Sequence, residues 1–216
     1  MSEQKRNEGY TPHEELANIL THGIGFVLSL AGSIMLINRA IVAGSEWHLV
    51  SYSIFGISLV LLYTSSVLYH ALPGRHIKQI LRKIDHSAIY VLIAGTYTPF
   101  LMTNLRGQTG WIMFFIVWVF AVTGIILKIR REIRSKWISA TIYLIMGWLA
   151  VFIYQSMLDN LPGKSLMFLA AGGLFYTLGV IFYVWKKLPF HHAIWHLFVM
   201  GGSLCHYYSI YFIIQR

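Results

Sequence analysis

Seven apolar stretches, each close to the roughly 20 residues that carry an α-helix across a bilayer, constrain this chain more than any other feature. In lipid every backbone N–H and C=O must find its partner within the protein. Only helices and closed barrels satisfy that demand, and runs of this length select helices. The stretches fall at about 16–41, 48–71, 84–104, 110–130, 137–158, 165–186 and 191–214. Four of the five prolines (Pro12, Pro73, Pro162 and Pro189) mark the breaks between them. Pro99 lies inside the third, where a kink is expected and neighbouring helices can absorb its cost. The expected fold is an all-α membrane protein, a seven-transmembrane-helix bundle at 16–216 behind a polar cytoplasmic tail at 1–15. Neither an internal repeat nor a low-complexity segment is evident.

Charge supplies the orientation. Only 12% of the residues are charged, against about 25% in soluble domains, and the net charge of +9 is unevenly placed. Lys5 and Arg6 precede the first span. Arg75, Lys78, Arg82 and Lys83 sit between the second and third, Lys128, Arg130, Arg131, Arg134 and Lys136 between the fourth and fifth, and Lys186 and Lys187 between the sixth and seventh. Thirteen of the seventeen basic residues thus share one side, and Arg39, Arg106, Lys164 and Arg216 take the other. The positive-inside rule puts the N-terminus in the cytoplasm and the C-terminus outside. The basic character is membrane topology, with attraction to anionic headgroups, and no nucleic-acid partner is expected. The opening MSEQKRNEGYTPHEE lacks the apolar core and cleavage site of a secretory signal, so the first apolar stretch is expected to be a span. The single Cys205 excludes an intrachain disulfide and a thiolate cluster.

Polar residues inside the spans mark function, because lipid tolerates them poorly. Span seven opens on His191-His192-Ala193-Ile194-Trp195-His196. His192 and His196 are four apart, so they point the same way from consecutive helical turns. Span two, running inward, ends on Ser66-Val67-Leu68-Tyr69-His70, and span three starts with Ile84-Asp85-His86. Topology brings these three clusters to one depth, at the cytoplasmic face. Three neutral imidazoles, His70, His192 and His196, can hold Zn²⁺ and leave a fourth position for water. Asp85 is the acidic residue at the edge of a span beside them, suited to accept a proton as general base. It can equally be an acid stabilised by a helix N-terminus. Ser66, one turn before His70, can donate to a reacting oxygen or pack between helices. His22 enters the first span from the same side and can reach the cluster. His206, ten residues beyond His196, is about 15 Å further along the axis and cannot share the ion. His86 and His191 point about 100° away from Asp85 and His192. His13, His48 and His76 are expected in solvent, and Tyr10, Trp47, Trp111 and Trp137 at the membrane interfaces. Walker-type and dinucleotide motifs are absent.

The segments NILTHGIG (18–25), SSVLYHAL (65–72), KIDHSAIYVLIAGTYTPF (83–100) and HAIWH followed by His206 (192–206) resemble the bacterial hemolysin III proteins. These belong to the progestin and adipoQ receptor family, which includes the adiponectin receptors. The resemblance covers all seven spans. It implies a seven-helix bundle in the cell membrane with an intramembrane zinc near its cytoplasmic side. The family's three ligands correspond to His70, His192 and His196, its water-holding aspartate to Asp85 and its motif serine to Ser66. The wider superfamily includes alkaline ceramidases, some bacterial members are associated with red-cell lysis, and others with membrane lipid homeostasis. The leading expectation is a zinc-dependent hydrolase acting on an amide or ester of a membrane lipid, which would be its substrate or ligand. A receptor-like protein with structural zinc and a pore-forming hemolysin are the alternatives.

Overall fold

The computed structural model describes residues 9–130 and 135–214. Lys5, Arg6, Arg131, Arg134 and Arg216, which count in the charge asymmetry, lie outside them. The described residues form eight α-helices and a 3₁₀ segment: α1 (Pro12–Val42), α2 (Glu46–Ala71), α3 (Arg75–Met102), α4 (Gln108–Ile129), α5 (Lys136–Gly147), the 3₁₀ turns of Trp148–Ile153, α6 (Tyr154–Asn160), α7 (Gly163–Val184) and α8 (His191–Tyr211). Each apolar stretch of the sequence corresponds to one helix or, for the fifth, to α5, the 3₁₀ turns and α6 together. No strand occurs among the described residues.

Five helical segments are long and apolar enough to cross a membrane: α1, α2, α4, the α5–α6 unit and α7. The helices that carry Asp85 and the His192–His196 pair, α3 and α8, are not among them. In α1 the distribution is inside-out relative to a soluble protein. Asn18, His22, Gly25, Ser29 and Ser33 form its buried stripe, while Leu16, Leu20, Ile24 and Val27 are exposed. Water cannot reach a polar stripe in lipid, so small and polar residues face the bundle and let helices approach closely. At Gly56 of α2, an added Cβ would sit 2.6 Å from Ser33 Oγ, and no larger residue fits that crossing.

Consecutive helices from α1 to α4 pack side by side, and α7 packs on α8. The last helix also packs on α1, which brings the two ends of the chain together. At the far end of the bundle Tyr52 Oη donates to the Ile210 carbonyl at 2.9 Å, and Ser165 and Ser209 hydroxyls each donate to the other's carbonyl, at 2.8 and 2.7 Å. Near the histidines, α1 begins with a capping box in which Thr11 and Glu14 bond reciprocally. The Glu14 carboxylate also accepts from the Phe190 backbone N–H at 3.1 Å. Phe190 precedes α8 with a left-handed backbone, φ 55°, a conformation unusual for a residue with a bulky side chain. One carboxylate therefore secures the starts of both the first and the last helix.

The break at Trp148–Ile153 was not evident in the sequence. Its shifted backbone bonding is completed by Tyr97 of α3. The phenol accepts from Ala150 N–H at 2.9 Å and donates to the Gly147 carbonyl at 2.7 Å, with the Met146 carbonyl at 3.2 Å. Pro99 sits in the last turn of α3, where its carbonyl accepts from Thr103 N–H at 3.2 Å and from the Thr103 hydroxyl at 2.6 Å.

Candidate metal centre

Ser66 and His70 occupy the last two turns of α2, and His192 and His196 the first two turns of α8. One ring nitrogen from each of His70, His192 and His196 lies within 4.8 Å of the other two. The ring centroids are 5.1 Å (70 to 192), 5.4 Å (70 to 196) and 4.5 Å (192 to 196) apart. All three residues are buried, at 3%, 3% and 0% exposure. Residues from opposite halves of the sequence thus converge within reach of one cation.

The polar atoms around them test whether a metal fits. His70 Nε2, His196 Nε2 and both nitrogens of His192 are buried without a hydrogen-bond partner among the described residues. Buried polar atoms are nearly always paired, and a cluster that is not calls for an ion or water. Three imidazoles each offering a bare nitrogen are the donor set of an open zinc site. Ser66 Oγ, 1% exposed, is likewise unpartnered. Asp85 of α3 is 4% exposed and does not belong to the group of converging ligand atoms. Its Oδ2 lies 3.1 Å from His86 Nδ1, but without hydrogen-bond alignment.

Helix α1 surrounds this cluster to a degree the sequence did not suggest. Its Glu15 was assigned to a polar tail, with Asp85 the acid nearest the histidines; instead the Glu15 carboxylate accepts from His70 Nδ1–H at 2.6 Å and pairs with Lys78. The Asn18 amide lies 3.4 Å from the same ring nitrogen. Thr21 Oγ1 lies 3.1 Å from His196 Nδ1. His22 stacks on His196 with centroids 3.4 Å apart and planes 13° from parallel. Tyr10, expected at a membrane interface, stacks on His192 at 4.9 Å, and burial raises its phenol pKa well above the ordinary value. A signal for this role was present: Glu15, Asn18 and His22 recur at the spacing of one helical face, the stripe that continues into Gly25 and Ser29.

The remaining histidines are elsewhere. His191 Nδ1–H donates to the Phe182 carbonyl at 3.0 Å, and His206 Nε2–H donates to the Leu169 carbonyl at 3.3 Å. His48 pairs with Ser45 Oγ at 2.8 Å, while His13 and His76 are exposed.

A cavity of about 620 Å³ adjoins the cluster. It is lined by Asp85 and His22 and otherwise by mostly apolar side chains of α3, α5, the 3₁₀ turns, α6, α7 and α8, with His206 the further histidine in its wall. Along α3 the lining runs from Asp85 to Leu101, about 24 Å at the helical rise. That exceeds the roughly 15 Å depth of one leaflet's hydrocarbon.

The family model described as haemolysin-III related matches residues 10–207. The chain is 48% identical over 203 residues to the hemolysin-3 homolog of Bacillus subtilis, covering 94% of this chain and 95% of that protein. It is 45% identical over 204 residues to hemolysin-3 of Bacillus cereus, covering 93% and 92%. With the human monocyte to macrophage differentiation factor the identity is 33% over 220 residues, covering 97% and 89%. No solved structure matches the chain. The helices that can span a bilayer and these matches together identify the chain as a multi-pass membrane protein belonging to the haemolysin-III-related family.

Proposed function

We propose that this protein is a zinc-dependent hydrolase of an amide or ester bond in a membrane lipid, with a role in membrane lipid homeostasis. The supporting observation is the juxtaposition of three buried imidazoles bearing unpartnered nitrogens with a long apolar cavity. In this reading all seven stretches cross the membrane, α3 and α8 included, with the N-terminus in the cytoplasm. The basic residues in the first turns of α3 then face the same side as those between α4 and α5.

His70, His192 and His196 would hold the zinc. Zinc supplies Lewis acidity at such a site, polarising a carbonyl and acidifying water. The cavity would take the acyl chain and leave the polar linkage beside Asp85, which lines it. The Asp85 carboxylate accepts the proton of the attacking water as the new C–O bond forms. Ser66, whose hydroxyl has no other partner among the described residues, donates to the carbonyl oxygen as negative charge develops there. When the C–N or C–O bond breaks, Asp85 returns the proton to the departing amine or alcohol.

The test is fatty-acid release by purified protein from a panel of lipid amides and esters, with and without zinc. Wild type should turn over at least one class, and Asp85→Asn should keep its metal and lose turnover. Absence of release across the panel removes the enzyme reading. A second reading makes zinc a structural tie in a receptor-like protein. It is favoured by α8 packing mainly along α1 and α7, with α2 reaching it at the far end through Tyr52, so an ion would add a second tie between α2 and α8. In that case His192→Ala lowers thermal stability together with zinc content, and Asp85→Asn changes neither.

A further inference from the structure

The three converging imidazoles come from α2 and α8, yet the polar groups that fix two of their rings come from α1. A histidine ring can offer either nitrogen to a cation, and which one is decided by what holds the other. At His70 the holder is a carboxylate. Carboxylate oxygens only accept, so the 2.6 Å contact with Glu15 Oε2, far shorter than the 3.4 Å approach of the Asn18 amide nitrogen to the same atom, places the proton on Nδ1 and leaves Nε2 as the free donor atom. At His196 the holder is a hydroxyl whose own proton is committed. Thr21 Oγ1 donates to the Ala17 carbonyl at 2.8 Å, with the Asn18 carbonyl at 3.0 Å. The contact at 3.1 Å must therefore run from His196 Nδ1–H to the threonine oxygen, again freeing Nε2. In both rings Nε2 is the buried atom left without a partner. Two different chemistries on one helix thus impose one tautomer on two ligands from other helices.

We infer that Glu15 and Thr21 are positioning residues: from the first three turns of α1 they fix the tautomer and aim of His70 and His196, so that both present Nε2 to a shared divalent cation. This rests on the metal reading of the cluster. Glu15 does more than orient. Its negative charge against Nδ1–H raises the basicity of Nε2, the effect that carboxylate partners have on metal-binding imidazoles. The ion pair with Lys78 at the start of α3 balances that charge and holds the carboxylate in place from its other oxygen. The arrangement is selective within the helix. Glu14, the adjacent acid, turns to its own N-cap and to Phe190 N–H, and touches none of the three rings.

The test uses the full-length protein in detergent, stripped of metal and titrated with Zn²⁺ against a competing chelator. Glu15→Ala should weaken affinity by about 100-fold and Glu15→Gln, which keeps an acceptor oxygen but not the charge, by about 10-fold. Thr21→Val should lose about 10-fold, while Thr21→Ser, which keeps the hydroxyl, should bind like wild type. The metal-free thermal midpoint of each variant is measured alongside, and the fall in affinity should exceed what any midpoint shift accounts for, which separates aiming from packing. Cobalt substitution should show a shifted ligand-field spectrum in Glu15→Ala and an unchanged one in Thr21→Ser. Should Glu15→Ala fail to fold, the Thr21→Val and Thr21→Ser pair decides. Unchanged affinity in Glu15→Ala and Thr21→Val, or losses that track a fall in metal-free stability, overturn the inference while leaving the metal site standing. A wild type whose zinc binding is no stronger than that of His192→Ala would remove the site itself, a distinguishable failure.

Discussion

At the scale of single residues, burial without a partner is the most informative property in this protein. Ser66 is buried and gains no hydrogen bond among the described residues, so its hydroxyl contributes little to holding the bundle together. Ser66→Ala should therefore change stability by less than about 0.5 kcal/mol while lowering lipid turnover by about 100-fold or more. Thermal melts and initial rates on the same preparation check both halves, and a large stability loss would assign Ser66 to packing. His196 is the opposite case, fully buried and stacked on His22. His196→Ala should abolish stoichiometric zinc, measured by elemental analysis, and remove the stabilisation that zinc confers. With free zinc at 1,000 times its dissociation constant, that linkage amounts to about 4 kcal/mol.

Among the secondary-structure elements, the ones that depart from regular helix show how lipid enforces backbone bonding. The 3₁₀ turns between α5 and α6 are completed by the Tyr97 phenol acting as both acceptor and donor. Tyr97→Phe removes both roles in a setting where the freed groups have no ready substitute, and it should cost about 1–3 kcal/mol of stability. At the α1–α2 crossing, Gly56→Val should destabilise by a similar amount, since Ser33 would have to move; both are read as thermal midpoints in detergent. The sequence made the helices legible because length and hydropathy alone set a span, and His192 and His196 legible because their spacing is local. The 3₁₀ break was hidden because it depends on Tyr97, some fifty residues away. Glu15 was hidden for a related reason. Charge in the first turn of a helix is ordinary, and only the packing of α1 on α2 turns that acid toward His70.

For the whole molecule, the arrangement makes two demands that can be checked in cells and in turnover. If seven helices cross the membrane with the N-terminus inside, the start of α4 faces outward and the start of α3 faces inward. The single native cysteine simplifies the experiment. In a Cys205→Ser background, Gln108→Cys should react with a membrane-impermeant thiol reagent on intact cells, and His76→Cys only after lysis. If the cavity receives an acyl chain, filling it midway with Ile93→Trp should suppress turnover of long-chain lipids far more than that of short-chain analogues, seen as a split in chain-length profiles. Finally, the ligands lie at residue 70 and at residues 192 and 196, so the order of synthesis matters. Most of the polypeptide must leave the ribosome and enter the bilayer before the three imidazoles can meet. On the proposed reading, the first helix, with Glu15 and Thr21 already in place, would wait as a mould for the last one, and loading of an ion would belong to the final moments of biogenesis.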